Sequence, residues 1–219
     1  LGASARRRIV RQGALLLSGY AGAQALSFAR NAIIGHWLSK GDFGIAAAIT
    51  LMLQLLETLS DLGADRLIIQ ASDGDEPRLL ATAHTTLVAR GAVMATLLYL
   101  AAGPTALFFG IEQARWAFEA AALVPLVKGF MHLDPRRYQR ELHNRAQMLV
   151  ETAPQVIALA ATIPMLLMQP GYSAVLWLAI LQAIASLIAS HALAERPYSL
   201  GLDRGYLRRL LAFGWPIWL

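Results

Sequence analysis

The sequence has no cysteine, which excludes disulfides and cysteine-ligated metal sites and leaves the redox compartment unspecified. It is also short of charge: Asp, Glu, Lys and Arg make up 15% of it, against roughly 25% in soluble domains. It contains no Gly-rich phosphate loop, no His-x-x-x-His pair and no Ser/His/Asp set in a polar domain. No stretch between its apolar runs is large enough for a soluble domain. These absences argue against an enzyme and against a nucleotide-driven pump, and no cofactor, no metal and no catalytic residue is expected.

What is present is apolar. Hydrophobic residues are 57% of the chain, mean hydropathy is +0.49, and the runs have the length that spans a bilayer, about 20 residues. A soluble helical protein shows narrower apolar stripes opposed by a charged face. The expected fold is all-α, a polytopic membrane protein. Spans are expected at about 12–38, 43–68, 79–102, 116–133, 146–168 and 172–194, with polar turns or basic connectors between them. Residues 1–210 then form a six-helix transmembrane bundle, and 211–219 read as the start of a seventh span. The closing "LLAFGWPIWL" suggests a longer protein whose C-terminal bundle follows. The opening "RRRIVRQGALLLSGY" looks like a signal peptide's basic and apolar regions. However, its apolar run continues too far and lacks a small-residue cleavage site.

Net charge is +5 and pI about 10. In such a chain this bears on topology rather than on nucleic acid, which is not an expected partner. With the N-terminus cytoplasmic, fourteen of the nineteen Lys and Arg residues fall on the cytoplasmic side, as the positive-inside rule requires. Lys40 and Arg115 fall outside; Arg30, Arg90 and Lys128 lie in or near spans. The segment 195–209 reads as a basic connector, part of it an amphipathic helix at the interface.

Polar residues recur inside the spans at helical spacing. Thr50, Gln54, Glu57, Asp61 and Asp65 form one face of the second span; Gln24, Ser27 and Asn31 form another in the first, with Arg30 beside it. Thr82, Thr86 and Arg90, then Gln147, Glu151 and Gln155, then Gln182, Ser186 and Ser190 follow. Lipid solvates none of these, so they face one another or water. At a rise of about 1.5 Å per residue, Arg30 lies about 12 Å from the outer end of its span and Arg90 about 16 Å from the inner end of its own. An arginine at that depth costs about 2.5–3.5 kcal/mol on insertion scales. Two readings remain open: an ion pair of Arg30 or Arg90 with Glu57, and a hydrated cavity with a cationic wall that attracts an anion. The cavity residues on the second reading are Arg30, Asn31, Arg90, Gln24 and Gln54, with Glu57 and Asp61 as counter-charge or ion-coupling groups. His36 and His84 read as interfacial histidines, and Met148, Met165 and Met168 as packing. Pro154 and Pro164 are expected to kink the fifth span.

The first hairpin, "GYAGAQALSFARNAIIGHWLSKGDFGIAAAITLMLQLLETLSDLGADRLIIQ", resembles the start of bacterial polysaccharide flippases. These belong to the multidrug/oligosaccharidyl-lipid/polysaccharide exporter superfamily. Leu38, Asp42, Phe43 and Gly44 carry the likeness at the outer turn; Asp61, Leu62 and Gly63, ahead of Ile68, Ile69 and Gln70, carry it at the inner end. "RRYQRELHNRAQMLVE", with Arg140, Glu141 and Leu142, resembles the family's basic loop, and "LRRLLAFGWPIWL" resembles the start of its seventh span. "FARNAII" is similar to the first span of the related lipid II flippases, where Asp usually follows Arg; Asn31 departs from that pattern.

The resemblance implies two bundles of about six helices around a central cavity, working by alternating access in the bacterial cytoplasmic membrane. It implies a lipid-linked oligosaccharide on a polyprenyl pyrophosphate as cargo and Arg30 as part of a cationic lining for the pyrophosphate. Membrane lipids and the polysaccharide polymerase machinery would be its neighbours. Competing readings are a cation-coupled multidrug antiporter of the same superfamily, with Glu57 as the ion site, and a polytopic glycan polymerase or ligase. Short outer turns disfavour the last.

Overall fold

A computed structural model describes residues 3–60, 63–141 and 144–214, and among them every regular element is helical. The ten α-helices are α1 Ala3–Trp37, α2 Lys40–Leu59, α3 Ala64–Gln70, α4 Pro77–Phe108, α5 Arg115–Ala121, α6 Leu123–Gly129, α7 Asp134–Arg137, α8 Arg145–Met168, α9 Tyr172–Ala192 and α10 Arg204–Gly214. Four of them, α2, α4, α8 and α9, are long and apolar enough to cross a membrane. The 35-residue α1 covers the expected 12–38 up to Trp37 but begins at Ala3 and is not one of those four.

Local chemistry sets the ends. Ser39 caps α2 by accepting the Asp42 N–H at 3.1 Å. The Asp42 carboxylate also accepts the Tyr172 N–H at 3.4 Å, so one acid ties the starts of α2 and α9 together. Pro77 opens α4, where its missing N–H costs nothing. The expected second span, 43–68, is divided: α2 stops at Leu59, and Gly63 starts α3 in the left-handed region at φ 60°. The expected fourth span, 116–133, consists of α5 and α6, seven residues each, meeting at Ala122. Together they fall short of the length of the four spanning helices. The fifth helix expected, α8, runs unbroken through Pro154 and Pro164.

Packing builds one bundle. The helix α1 lies on α8, α8 on α9, α4 on α5 and α6, and α6 on α9, while α2 packs chiefly on α9. One buried cluster joins Ile45 and Ile49 of α2 to Leu98 of α4, Phe118 of α5 and Leu176 and Ile180 of α9. A second joins Leu67 and Ile68 of α3 to Leu79 and Leu80 of α4 and Leu210 of α10. Alanines fill much of the first cluster, which lets helix backbones approach closely, as small residues do in membranes. The outer surface carries Leu51, Leu55 and Leu59 at one-turn spacing on α2, and Ile184 and Ile188 on α9. An outward apolar surface of this kind suits lipid rather than water.

Two helix backbones meet closely at Gly91 of α4 and Gly129 of α6. A Cβ on Gly91 would lie 2.7 Å from the Pro125 carbonyl oxygen and 2.9 Å from the Gly129 Cα. Backbone atoms cannot yield as a side-chain tip can, so Gly91→Ala is expected to destabilise the bundle by about 1–3 kcal/mol. Gly22→Ala, where a Cβ meets nothing within 4 Å, should be neutral or slightly stabilising. Melting temperatures of the two full-length variants in detergent check this contrast.

Candidate functional site

A partly open cavity of about 700 Å³ lies among α1, α2, α3, α4, α6, α7, α8 and α9. Its lining mixes two chemistries. Arg66, Arg90, Lys128 and Arg136 are basic. Gln24 from α1, Gln147 and Gln155 from α8, and Gln182 and Ser186 from α9 add amides and a hydroxyl, with Arg136 meeting the α8 group through Glu151. Two carboxylates stand within this ring. Glu57 gives both oxygens to Lys128 Nζ, at 2.8 and 2.9 Å. Glu151 accepts from Gln147 Nε2 at 2.6 Å and from Arg136 at 3.4 Å.

The backbone explains part of the basic lining. Arg90 immediately precedes Gly91, and Lys128 immediately precedes Gly129, so the glycine crossing of α4 on α6 brings two cations to one stretch of wall. Among the amides, Gln155 Oε1 is buried with no hydrogen-bond partner among the described residues. A buried acceptor of this kind is costly.

The residues singled out from sequence fall in different places. Arg90, Gln24 and Glu57 line the cavity. Arg30 is half-buried and donates to Gln182 Oε1, so it meets the cavity through a side chain that lines it. The carboxylate expected opposite Arg30 or Arg90 is bonded to Lys128, while Arg30 turns to an amide. Asn31 and Gln54 are exposed and line no part of this cavity. One residue along a helix turns the side chain by about 100°, which takes Asn31 off the face of Arg30. Asp61 lies outside the described residues. Lys128, Arg66 and Arg136 escaped the sequence reading because they were counted as topology charges or left unassigned. A single lysine in an apolar run was the available signal for Lys128.

The cavity floor includes Met131, His132 and Leu133, and a polar knot holds it. Asp134, fully buried, accepts from Arg137 Nε at 2.8 Å, Tyr138 Oη at 3.0 Å, and the Glu195 and Arg196 N–H groups at 2.8 and 3.2 Å. Burial works to raise its pKa. The bonds from Arg137, the two backbone amides and Tyr138 outweigh that and hold the carboxyl below its ordinary range. Burial and the bond to Asp134 push the Tyr138 hydroxyl up to about 12. Around the knot, His84 Nε2 accepts the Leu133 N–H and His132 Nδ1 accepts the Asp134 N–H, both at 3.1 Å. Each ring therefore carries its proton on the other nitrogen, which donates to the carbonyl of Ser199 or Arg196. His84 is thus a buried strut and not the interfacial residue expected. His191 and Tyr198 complete the ring stack. Among the described residues no group of three His, Asp or Glu is placed to hold a metal ion.

Comparison with known proteins gives one match. The model of a family described as "Polysaccharide biosynthesis protein" matches residues 33–219. No curated protein and no solved structure matches the chain. The matched region contains Arg66, Arg90, Lys128 and Arg136 and, of the lining amides, all but Gln24, and begins just after Arg30.

Removing one partner of a buried ion pair strands the other. Asp134→Asn is expected to cost about 3 kcal/mol, because Arg137 loses its closest counter-charge and keeps only the longer contacts to Asp75 at 3.4 Å and Glu195 at 3.9 Å. Because the folded pKa of this carboxyl is lowered, its contribution is present above the ordinary carboxylate pKa and is lost as pH falls through the lowered one. Thermal unfolding of the full-length protein and its Asp134→Asn variant, followed from neutral to acid pH, tests both points. The gap between the two should close toward acid.

Proposed function

The chain belongs to the polysaccharide biosynthesis protein family, and on that premise we propose that it is the substrate-holding part of a flippase. Its cargo is an oligosaccharide on a polyprenyl pyrophosphate, moved across the bacterial cytoplasmic membrane without covalent chemistry. The observation that carries the proposal is a cavity lined by both basic groups and amides within a bundle of apolar helices. A phosphorylated lipid-linked sugar offers the matching pair of chemistries, an anion and hydroxyls.

In this reading Arg90, Lys128, Arg66 and Arg136 face the pyrophosphate. Guanidinium groups stay charged and fork onto phosphate oxygens, and Lys128 adds a point charge. The carboxylates of Glu57 and Glu151 balance the basic groups while the cavity is empty. An arriving anion competes with them for the same cations. Sugar hydroxyls bond to Gln24, Gln147, Gln155, Gln182 and Ser186, with Arg30 fixing the Gln182 amide. The prenyl chain remains in lipid. Six spans, a cytoplasmic N-terminus and a seventh span leading to a second bundle complete the scheme, and alternating access comes from the two bundles rocking about the site.

A charge-assisted hydrogen bond contributes about 1.5–3 kcal/mol, so loss of one basic contact should weaken binding about 10- to 100-fold. Arg90→Ala and Arg30→Ala are expected to abolish or sharply reduce surface glycan in cells whose only copy is the variant, with Arg30→Lys partly active. Binding of a short-chain prenyl pyrophosphate to the purified full-length proteins should fall in step. Wild-type glycan display by Arg90→Ala protein present at normal levels overturns the scheme.

A further inference from the structure

The helix α10 has two faces. Leu210 is fully buried, and Tyr206 and Phe213 pack beside it on the cluster formed with α3 and α4. The approach to it is tightly fixed. The Gly201 N–H donates to the Ala81 carbonyl, the Thr85 hydroxyl donates to the Gly201 carbonyl, and the Asp203 N–H donates to Thr82 Oγ1, at 3.3, 2.8 and 3.1 Å. Asp203 then caps the helix, accepting the Gly205 and Tyr206 N–H groups. Arg209 clasps Asp73 at 2.6 and 2.8 Å. The orientation of α10 on the bundle is therefore set by at least four polar links and an apolar face.

The opposite face is different. Arg204, Arg208 and Leu211 follow one another at spacings of four and three and are exposed. Beside them the preceding strap exposes Leu200 and Leu202, at 57% and 66%, and Leu211 itself is 49% exposed. Arginines that point outward among bare leucines suit neither pure water nor pure hydrocarbon. They suit the boundary between the two, where leucines enter the acyl layer and guanidinium groups meet phosphate.

The position agrees. The links to Ala81, Thr82 and Thr85 lie about 6–12 Å along α4 from its first residue, Pro77. Since α4 is long and apolar enough to cross a membrane, that stretch is close to the thickness of one headgroup layer, about 5–8 Å.

We propose that the Arg204/Arg208/Leu211 face of α10, with Leu200 and Leu202, is a docking surface for acidic phospholipid headgroups, and that it holds the connector against the leaflet at that end of α4. The occupant is the anionic lipid surface itself, selected by the charge of the two outward arginines. The cavity cargo is not involved, so this site stands or falls apart from the transport reading.

The test uses the full-length protein, freed of any other cysteine, with a bimane label on Ala212→Cys next to the patch. It is placed in nanodiscs of four parts phosphatidylcholine to one part phosphatidylglycerol. Quenching by nitroxide-labelled phosphatidylglycerol is compared with quenching by equally labelled phosphatidylcholine. One arginine near an anionic surface raises local occupancy roughly fivefold, so the glycerol lipid should quench at least two- to threefold more per molecule. Arg204→Gln/Arg208→Gln should bring the ratio close to one, and Arg204→Lys/Arg208→Lys should keep most of it. Equal quenching by both lipids overturns the proposal. Quenching by neither also overturns it, since the face is then covered by protein. A preference that survives the glutamine substitutions removes the two arginines from the role.

Discussion

A single buried carboxylate organises one end of this bundle. Asp134 has no exposed surface and spends its oxygens on a guanidinium, a phenol and two backbone amides. Those donors come from both sides of the helical hairpin of α8 with α9: Arg137 and Tyr138 precede it, and Glu195 and Arg196 follow it. The knot therefore closes the hairpin at its base. A charge without solvent is tolerable only when every lone pair is used, so the geometry admits little slack. Asp75 extends the network to the turn before α4 through Arg137 and Arg196. His84 and His132 continue it by taking backbone N–H groups that would otherwise be buried unpaired. The floor of the cavity is made of the same few residues, so its shape follows from how that carboxylate is satisfied.

Above the floor the governing constraint is different. Apolar helices in lipid have no hydrophobic reason to leave a void between them, and polar side chains inside them are retained only where they find partners or water. Here Glu57 is satisfied by Lys128, and Glu151 by Gln147 and Arg136, while the buried Gln155 Oε1 has no partner among the described residues. A wall that is part closed ion pairs and part open amides can exchange one set of partners for another at modest cost. That property is what a carrier of polar cargo needs and what a packed structural core does not have.

Much of the architecture was legible in the sequence, because a span announces itself by length and hydropathy. The expected spans at 146–168 and 172–194 agree with α8 and α9 to within two residues at each end. The polar stripes on α8 and α9 were legible for the same reason: spacings of three and four put Gln147, Glu151 and Gln155 on one face whatever packs there. Interruptions were less visible. Gly63 ends a run that hydropathy alone carries through to 68, since its left-handed backbone leaves no mark on an apolar average. Pairings were least visible. Nothing local to Arg30 says that its partner is Gln182, and nothing at His84 shows that His132 will meet it edge-on and that His191 in turn will meet His132. Such contacts bridge helices far apart in sequence, and periodicity carries no information about which helix lies opposite.

The glycine crossing of α4 on α6 has one more implication. The residues just before those glycines, Arg90 and Lys128, are the basic groups nearest the seam. The points from which their side chains start are thus set by the contact distance of two bare backbones. Loosening this seam would move the roots of both cations, so helix packing and the layout of positive charge on this wall are a single degree of freedom.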